Sequence, residues 1–462
     1  MTLLKNIYTK ISKIINNDIS FLALIVFDYF FVIINIYRRI LLIGLLFLAV
    51  NLLFLIFLTK KKSIGLIFLL YPLSRVLKIS LIPTSLLTIL MAAFFGILLI
   101  KKLINKEKFL TSDIAVIVLF SIYVLFTLVV SLMNIYGFEF TRLISYYLYL
   151  AFPIVCFICI KSPNEVDMNK SIILLCLSYL FGMLVTIAFY KVIPGGAQKL
   201  ASSGVNVFNM GVAGIRYSPL TDDPNYGSAL FILLSTLFIV SKKTMKESIV
   251  GYSIIGVASI LSIFSISKMF ILCFVITVIF LLLKIILKIK NTFITIAIVI
   301  SFCMAMIIFL STSVGSSLLI RTFGNKDGIT LDRITSGRAS IFGEYSSYIL
   351  SNPLVLLFGK GPIFHDLTIF STGEHNTFTI NIFGSGIIGV TIFFILLFIM
   401  LKNRFDKQCF IPKNIMFWPF MICVIVCFMS LGISPSTVFP IFVVGAQYIN
   451  FENIRKGYEI NI

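Results

Sequence analysis

Long apolar runs, separated at near-regular intervals by clusters of lysine, dominate this chain, and no other feature limits its fold as strongly. The clusters are Lys5, Lys10 and Lys13; Lys60 to Lys62; Lys101, Lys102, Lys106 and Lys108; and Lys161 with Lys170. They continue with Lys242, Lys243 and Lys246; Lys284, Lys288 and Lys290; Lys402, Arg404, Lys407 and Lys413; and Arg455 with Lys456. Between successive clusters lies enough apolar sequence for two membrane crossings. Hydrophobic residues make up 59% of the chain and charged residues 12%, with a mean hydropathy of +1.09. A soluble protein is nearer half apolar and a quarter charged, so one water-soluble core of this size cannot hide the excess. That balance argues against a soluble enzyme, a nucleic-acid binder or a disordered chain. The net charge of +20 would otherwise suggest nucleic acid, but lysines between apolar runs are what the positive-inside rule places in cytoplasmic loops.

With all eight clusters on the cytoplasmic side, the chain is expected to be an all-α polytopic protein of about 14 transmembrane helices, at about 20 residues each. Both termini then lie inside, and residues 1–462 form a single membrane domain. The spans are expected to be helical because a backbone in lipid must satisfy its own hydrogen bonds. They include 20–37, 63–80, 376–401 and 436–450; the second is interrupted by Arg75 and Lys78. Arg38 and Arg39 fall on the outer side and depart from the charge rule. No A-x-A-like cleavage site follows the first span, so no signal peptide is expected to be removed. No internal repeat or appended soluble domain is visible.

Seven of the eight cysteines fall within expected spans and Cys409 in a cytoplasmic loop. Cys156 and Cys159 form a C-x-x-C, read here as two small hydrophobes within a helix rather than a redox or zinc pair. Two outer loops, at about 191–224 and about 312–375, break the pattern of short connections, and long loops tend to be functional. They hold most of the distinctive polar chemistry: Arg216, Asp222, Asp223 and Asn225 in the first, and Arg321, Arg333, Arg338, Glu344, His365 and His375 in the second. Arginine pairs with phosphate oxygens through a planar fork and stays charged. A histidine nearby can accept a proton from a hydroxyl nucleophile. This set suits transfer from a lipid-linked diphosphate at a membrane surface. A metal is not expected, since no H-E-x-x-H or D-x-D is present to hold one.

The segment His375-Asn376, nine residues, then Gly386-Ile387-Ile388-Gly389 resembles the H-[NSQ]-x9-G-x-x-[GTY] pattern of the O-antigen ligase and polymerase superfamily. Arg216, ten residues, then Gly227 has the R-x10-G form of its Wzy-type polymerases, and Asp222-Asp223-Pro224-Asn225 within it looks like the family's D-P-N entry into a span. Ser336-Gly337-Arg338, followed by Pro353 and Gly359-Lys360-Gly361, is similar to the stretch ahead of the family histidine; Ser265-Ile266-Ser267-Lys268 matches a serine and basic residue at the outer end of a hairpin. The resemblance covers roughly residues 200–400.

It implies a membrane glycosyltransferase at the periplasmic face of the bacterial inner membrane, using an undecaprenyl-diphosphate-linked glycan as donor and another as acceptor. No cofactor, nucleotide or metal is implied, and a chain-length regulator is admitted as partner. Arg216 and Arg338 would stabilise the leaving diphosphate and His375 would orient or deprotonate the acceptor hydroxyl. The resemblance assigns Asp223, Asn225, Lys268, Arg333 and Asn376 to substrate binding, and Gly227, Gly386 and Gly389 to the structural motif. The residues alone also leave open that His375 caps the following helix, that Arg216 pairs with Asp222 or Asp223, that Arg338 stabilises a loop, and that the glycines permit close helix packing. An O-antigen polymerase is the favoured reading; a ligase transferring polymer to lipid A core is the alternative, and a polysaccharide flippase is the third.

Overall fold

Apolar runs of this length have one way to satisfy their backbone away from water, and the chain takes it by becoming helical almost throughout. The computed structural model describes residues 2–79, 84–134, 140–209, 215–221, 223–287, 289, 291–323, 337–363, 376–402, 415–431 and 438–449. In chain order the helices begin with α1 (Thr2–Ile15), α2 (Asp18–Tyr37), α3 (Leu41–Phe57), α4 (Lys60–Leu70), α5 (Leu86–Ile104), α6 (Thr111–Met133), α7 (Phe140–Cys159) and α8 (Met168–Lys191). After α9 (Gly196–Ser202) and a two-residue strand pair, β1 (Phe208–Asn209) and β2 (Ile215–Arg216), come α10 (Pro224–Val240), α11 (Met245–Ser262), α12 (Lys268–Ile286) and α13 (Thr292–Ser311). The last are α14 (Ser313–Phe323), α15 (Arg338–Ser351), α16 (Pro353–Phe358), α17 (Thr377–Lys402), α18 (Phe417–Ser430) and α19 (Phe439–Tyr448). Among the described residues nine helices are long and apolar enough to cross a membrane; α3, α10, α18 and α19 are apolar but shorter.

Polar contacts sort the helix ends into two sets. At one end Lys60 donates to the Cys159 carbonyl (2.8 Å) and Glu165 (2.7 Å), Lys161 pairs with Asp113 (2.6 Å), and Lys101 donates to the Leu58 carbonyl (3.2 Å). The Asn169 side chain joins this end to the 241–244 turn through the Lys242 carbonyl (2.8 Å). Lysines donating to the last carbonyls of helices also complement the negative end of the helix dipole. At the other end Asn35 donates to the carbonyls of Val76 and Lys78, Arg216 to Ser265, and Thr377 to Leu431. The lysine clusters at 60–62, 101–102, 161 and 242 therefore share one end of the bundle, as the alternating pattern requires.

Three expectations change. The interrupted span at 63–80 is the eleven-residue α4 followed by a single 3-10 turn (Tyr71–Leu73), with Arg75 and Lys78 beyond it. The long connections are not bare loops: 191–224 holds α9 and the strand pair, and 312–375 holds α14, α15 and α16. The span at 376–401 is broken within α17, where Gly386 has φ 61 and ψ 179. Gly384 and Phe383, released from regular helix there, accept hydrogen bonds from the amides of Gly361 (2.8 Å) and Lys360 (2.7 Å). Buried polar pairs fasten neighbouring helices: Asn51 donates to Asp28 across α2 and α3 (2.8 Å), and the Tyr29 and Ser178 hydroxyls meet at 3.0 Å. Cys156 and Cys159 are buried free thiols, consistent with hydrophobic packing; Cys409 lies outside the described residues.

Candidate functional site

The end of the bundle opposite the lysine-rich one gathers the arginines. Arg216 ends the second strand of the β1–β2 pair, directly opposite Phe208 in register, and its guanidinium lies 5.7 Å from the Phe208 ring. It is buried, at 6% exposure. Its Nε donates to the Ser265 carbonyl (2.9 Å) and its Nη2 to Asn225 Oδ1 (3.1 Å). Two donors of one planar fork are thus aimed at two different elements, a fixation that a lysine ammonium could not reproduce.

Both acceptors have local reasons for being where they are. Asp223 is the N-cap of α10, its carboxylate accepting the Asn225 amide at 2.6 Å, and Pro224 occupies the first helical turn, where its missing N–H costs nothing. Asn225 is thereby presented at the helix entrance with its own side chain on Arg216. Ser265 belongs to the turn joining α11 to α12. There Ile266 takes a left-handed conformation at φ 46, and Ser267 caps α12 by accepting the Phe270 amide (3.4 Å). The Ser265 hydroxyl accepts from Ser228 (3.1 Å), and Ser262 and Tyr179 continue a buried hydroxyl cluster behind it.

Arg338 reaches the same neighbourhood from the other long connection. It opens α15 after Gly337, which sits at φ 79. Burial holds its guanidinium below the usual range, and the Asp223 carboxylate and Tyr226 hydroxyl act electrostatically in the opposite sense. It stays charged at neutral pH, as arginine does. Hydrogen bonds thus join Arg216, Asn225 and Asp223 at one helix entrance, and Arg338 lies within electrostatic reach of Asp223. Lys268, half-buried, is the first residue of α12, three positions beyond the Ser265 carbonyl.

Other expected site residues are placed differently. Asn376 caps α17, its side-chain oxygen accepting the Phe378 (2.9 Å) and Thr379 (3.3 Å) amides, and its amide group faces the Met429 carbonyl of α18 at 3.5 Å. Helix α18 also packs on α12, where Cys427 contacts Met269 (3.2 Å), the residue after Lys268. His375, His365 and Arg333 lie outside the described residues. The glycines act through space: a Cβ at Gly227 would collide with the Pro219 ring, and one at Gly389 with the side chains of Ser385 and Phe126. At Gly386 a Cβ would run into the Leu357 carbonyl, so the break in α17 is where α16 nests against it. Among the described residues no group of three His, Cys, Asp or Glu side chains could hold a metal ion.

Sequence reasoning names Ser265 only as part of a motif; its use as the acceptor for Arg216 is not readable there, because a backbone carbonyl carries no residue signature. Phe208, Tyr179 and Ser228 escape it for the similar reason that each looks like ordinary core. The Lys360–Gly361 backbone that seals the break in α17 carries one signal, the G-K-G run, but no hint of its partner.

The architecture defines the class: an all-α, multi-pass membrane protein. No family model matches the chain, and neither does any curated protein.

Proposed function

We propose that the chain is a surface-polysaccharide polymerase of the O-antigen type, joining undecaprenyl-diphosphate-linked repeat units at the periplasmic face of the bacterial inner membrane. In this reading α3, α10, α18, α19 and the stretch from α4 through the Tyr71–Leu73 turn to Lys78 also cross, giving 14 spans with the lysine-rich end in the cytoplasm, and the arginine end faces the periplasm. The observation that carries it is the convergence of Arg216 and Arg338, from two connections more than a hundred residues apart, beside Asp223 and Asn225.

An acceptor sugar hydroxyl attacks the anomeric carbon of the donor glycan. The new C–O bond forms as the bond from that carbon to the diphosphate oxygen breaks, and the lipid diphosphate departs with the electron pair. Arg216 and Arg338 stabilise the growing negative charge, and His375 accepts the hydroxyl proton. Lys268, Asp223, Asn225, Arg333 and Asn376 contact the glycans or the diphosphate. The diphosphate bond supplies the driving force, so no nucleotide is needed, and the family resemblance implies no metal.

Deletion of the gene is the test. A polymerase leaves lipid A core capped by one repeat on a lipopolysaccharide gel, or shortened capsule where capsule is the product. Bare core with polymer still on its lipid carrier would assign a ligase instead, and an unchanged ladder together with unchanged capsule would overturn both. Cysteines introduced at the exposed Ser202 and Ser340 should react with an impermeant thiol reagent in intact spheroplasts; labelling only after lysis would reverse the orientation.

A further inference from the structure

The arginines that depart from the positive-inside rule do not stand alone. Arg38 and Arg39 follow α2 at the arginine end of the bundle, where Asn35 ties that helix to the carbonyls of Val76 and Lys78. Helix α9 lies over the same corner, with Lys199 Nζ 3.7 Å from the centre of the Tyr37 ring. Arg75 donates to the Gly204 carbonyl just beyond α9 (3.4 Å). The end of α8 closes the group: Phe189 meets Tyr37 edge-on at 5.2 Å, and Lys191 follows two residues later. Six cations, Arg38, Arg39, Arg75, Lys78, Lys191 and Lys199, are thus drawn to one corner. The segments that bring them, 37–41, 71–79 and 187–205, contain no aspartate or glutamate.

This corner is continuous with the Arg216 site. Tyr190, beside Lys191, packs edge-on against Tyr217, beside Arg216, with ring centres 5.7 Å apart. The rim is apolar as well as cationic, since Tyr37, Ile40, Leu42 and Val192 are exposed. A ligand with a phosphate head and a hydrocarbon chain meets both requirements at once: charge neutralisation at the surface and apolar cover below it.

We propose that this corner is a second anion-binding surface, which takes the diphosphate headgroup of the lipid-linked acceptor while the Arg216–Arg338 site holds the donor. The acceptor assignment rests on the polymerase reading; the binding of a second lipid diphosphate does not. Two lipid-linked substrates bring two anionic heads to one membrane surface, and a single cluster holding both would face their mutual repulsion. Two clusters separated by the Tyr190–Tyr217 contact relieve it and set the two glycans side by side.

Native mass spectrometry of the purified full chain with undecaprenyl diphosphate reads the number of lipids bound. Wild type should take two. Arg38→Gln/Arg39→Gln/Lys199→Gln should take one, with the second bound about 100-fold more weakly, because each cation at a membrane surface contributes roughly a factor of five. The charge-keeping Arg38→Lys/Arg39→Lys variant should still take two, which separates loss of charge from loss of fold. One lipid bound to wild type and triple variant alike would overturn the proposal, as would displacement of the second lipid by equimolar phosphatidylglycerol. Wild type that binds two but joins no repeat units in liposomes would overturn the polymerase reading and with it the acceptor role, leaving the second lipid-diphosphate surface in place.

Discussion

Gly386→Ala should be among the most damaging single-methyl changes in this protein. The residue sits at φ 61 and ψ 179, a region open essentially to glycine alone, and forcing a side chain there costs about 1–3 kcal/mol. The new Cβ would also collide with the Leu357 carbonyl and the Phe358 amide. Neither is the end of a flexible side chain that could swing away, so overpacking adds about 1–3 kcal/mol. The sum is roughly 2–6 kcal/mol. No helix-propensity gain offsets it, because the position is not helical. Gly256 is the internal control: it lies within α11, and a methyl added there would have no neighbouring atom within 4 Å, so Gly256→Ala should be neutral or stabilising by up to about 1 kcal/mol. Equilibrium unfolding of the two purified variants in mixed micelles measures both. Gly386→Ala as stable as wild type would refute the account of the break in α17.

Arg216→Lys keeps a charge but cannot span Ser265 and Asn225 together, so polymer should fall sharply while membrane levels stay within a few-fold of wild type; undiminished polymer would show that the fork is dispensable. His375→Ala should reduce polymer about 10²- to 10⁴-fold, as removal of a general base does, whereas His365→Ala should be tolerated; equal loss at both would remove the catalytic role. Glu165 supplies a pH dependence. Burial raises its proton affinity, but Lys60 at 2.7 Å and the amides of Lys161 and Ser162 outweigh burial and hold the carboxyl below the usual glutamate range. A depressed folded-state value means that the stabilisation is complete above the unfolded-state value and disappears as pH falls through the folded one. Acid should therefore lower the melting temperature of wild type more than that of Glu165→Gln, and identical acid sensitivity would refute the linkage.

The helical membrane class is legible in the sequence because two independent signals agree: apolar length forces helices, and lysine placement marks one set of their ends. Asp113, Lys161 and Lys60 contact one another or the carbonyls of facing helices at that end, so the same residues that report orientation also hold the bundle together. Boundaries are less legible. In 63–80 Pro72, Arg75 and Lys78 mark an interruption, but nothing in composition shows where the helix stops or that the turn sets Arg75 against Gly204. The break in α17 is hidden for a related reason. Gly384, Gly386 and Gly389 lie close together in an otherwise apolar span, and small residues there read equally as a site of helix packing.

At the site, the motif spacing and the physical arrangement agree for a reason that the spacing itself does not contain. Arg216 and Gly227 are eleven positions apart, and the structure gives each a part in one local construction. Gly227 lets the first turn of α10 press against Pro219 and Thr221, which brings the 217–221 segment close over the helix entrance. That closeness puts Arg216 within reach of Asn225, and Asp223 caps the helix that carries Asn225. A side chain at Gly227 would push the loop away and lengthen the guanidinium contact before it touched any ligand. The glycine is therefore a positioning residue for the arginine, and its packing role is compatible with the function proposed for Arg216 rather than a rival to it.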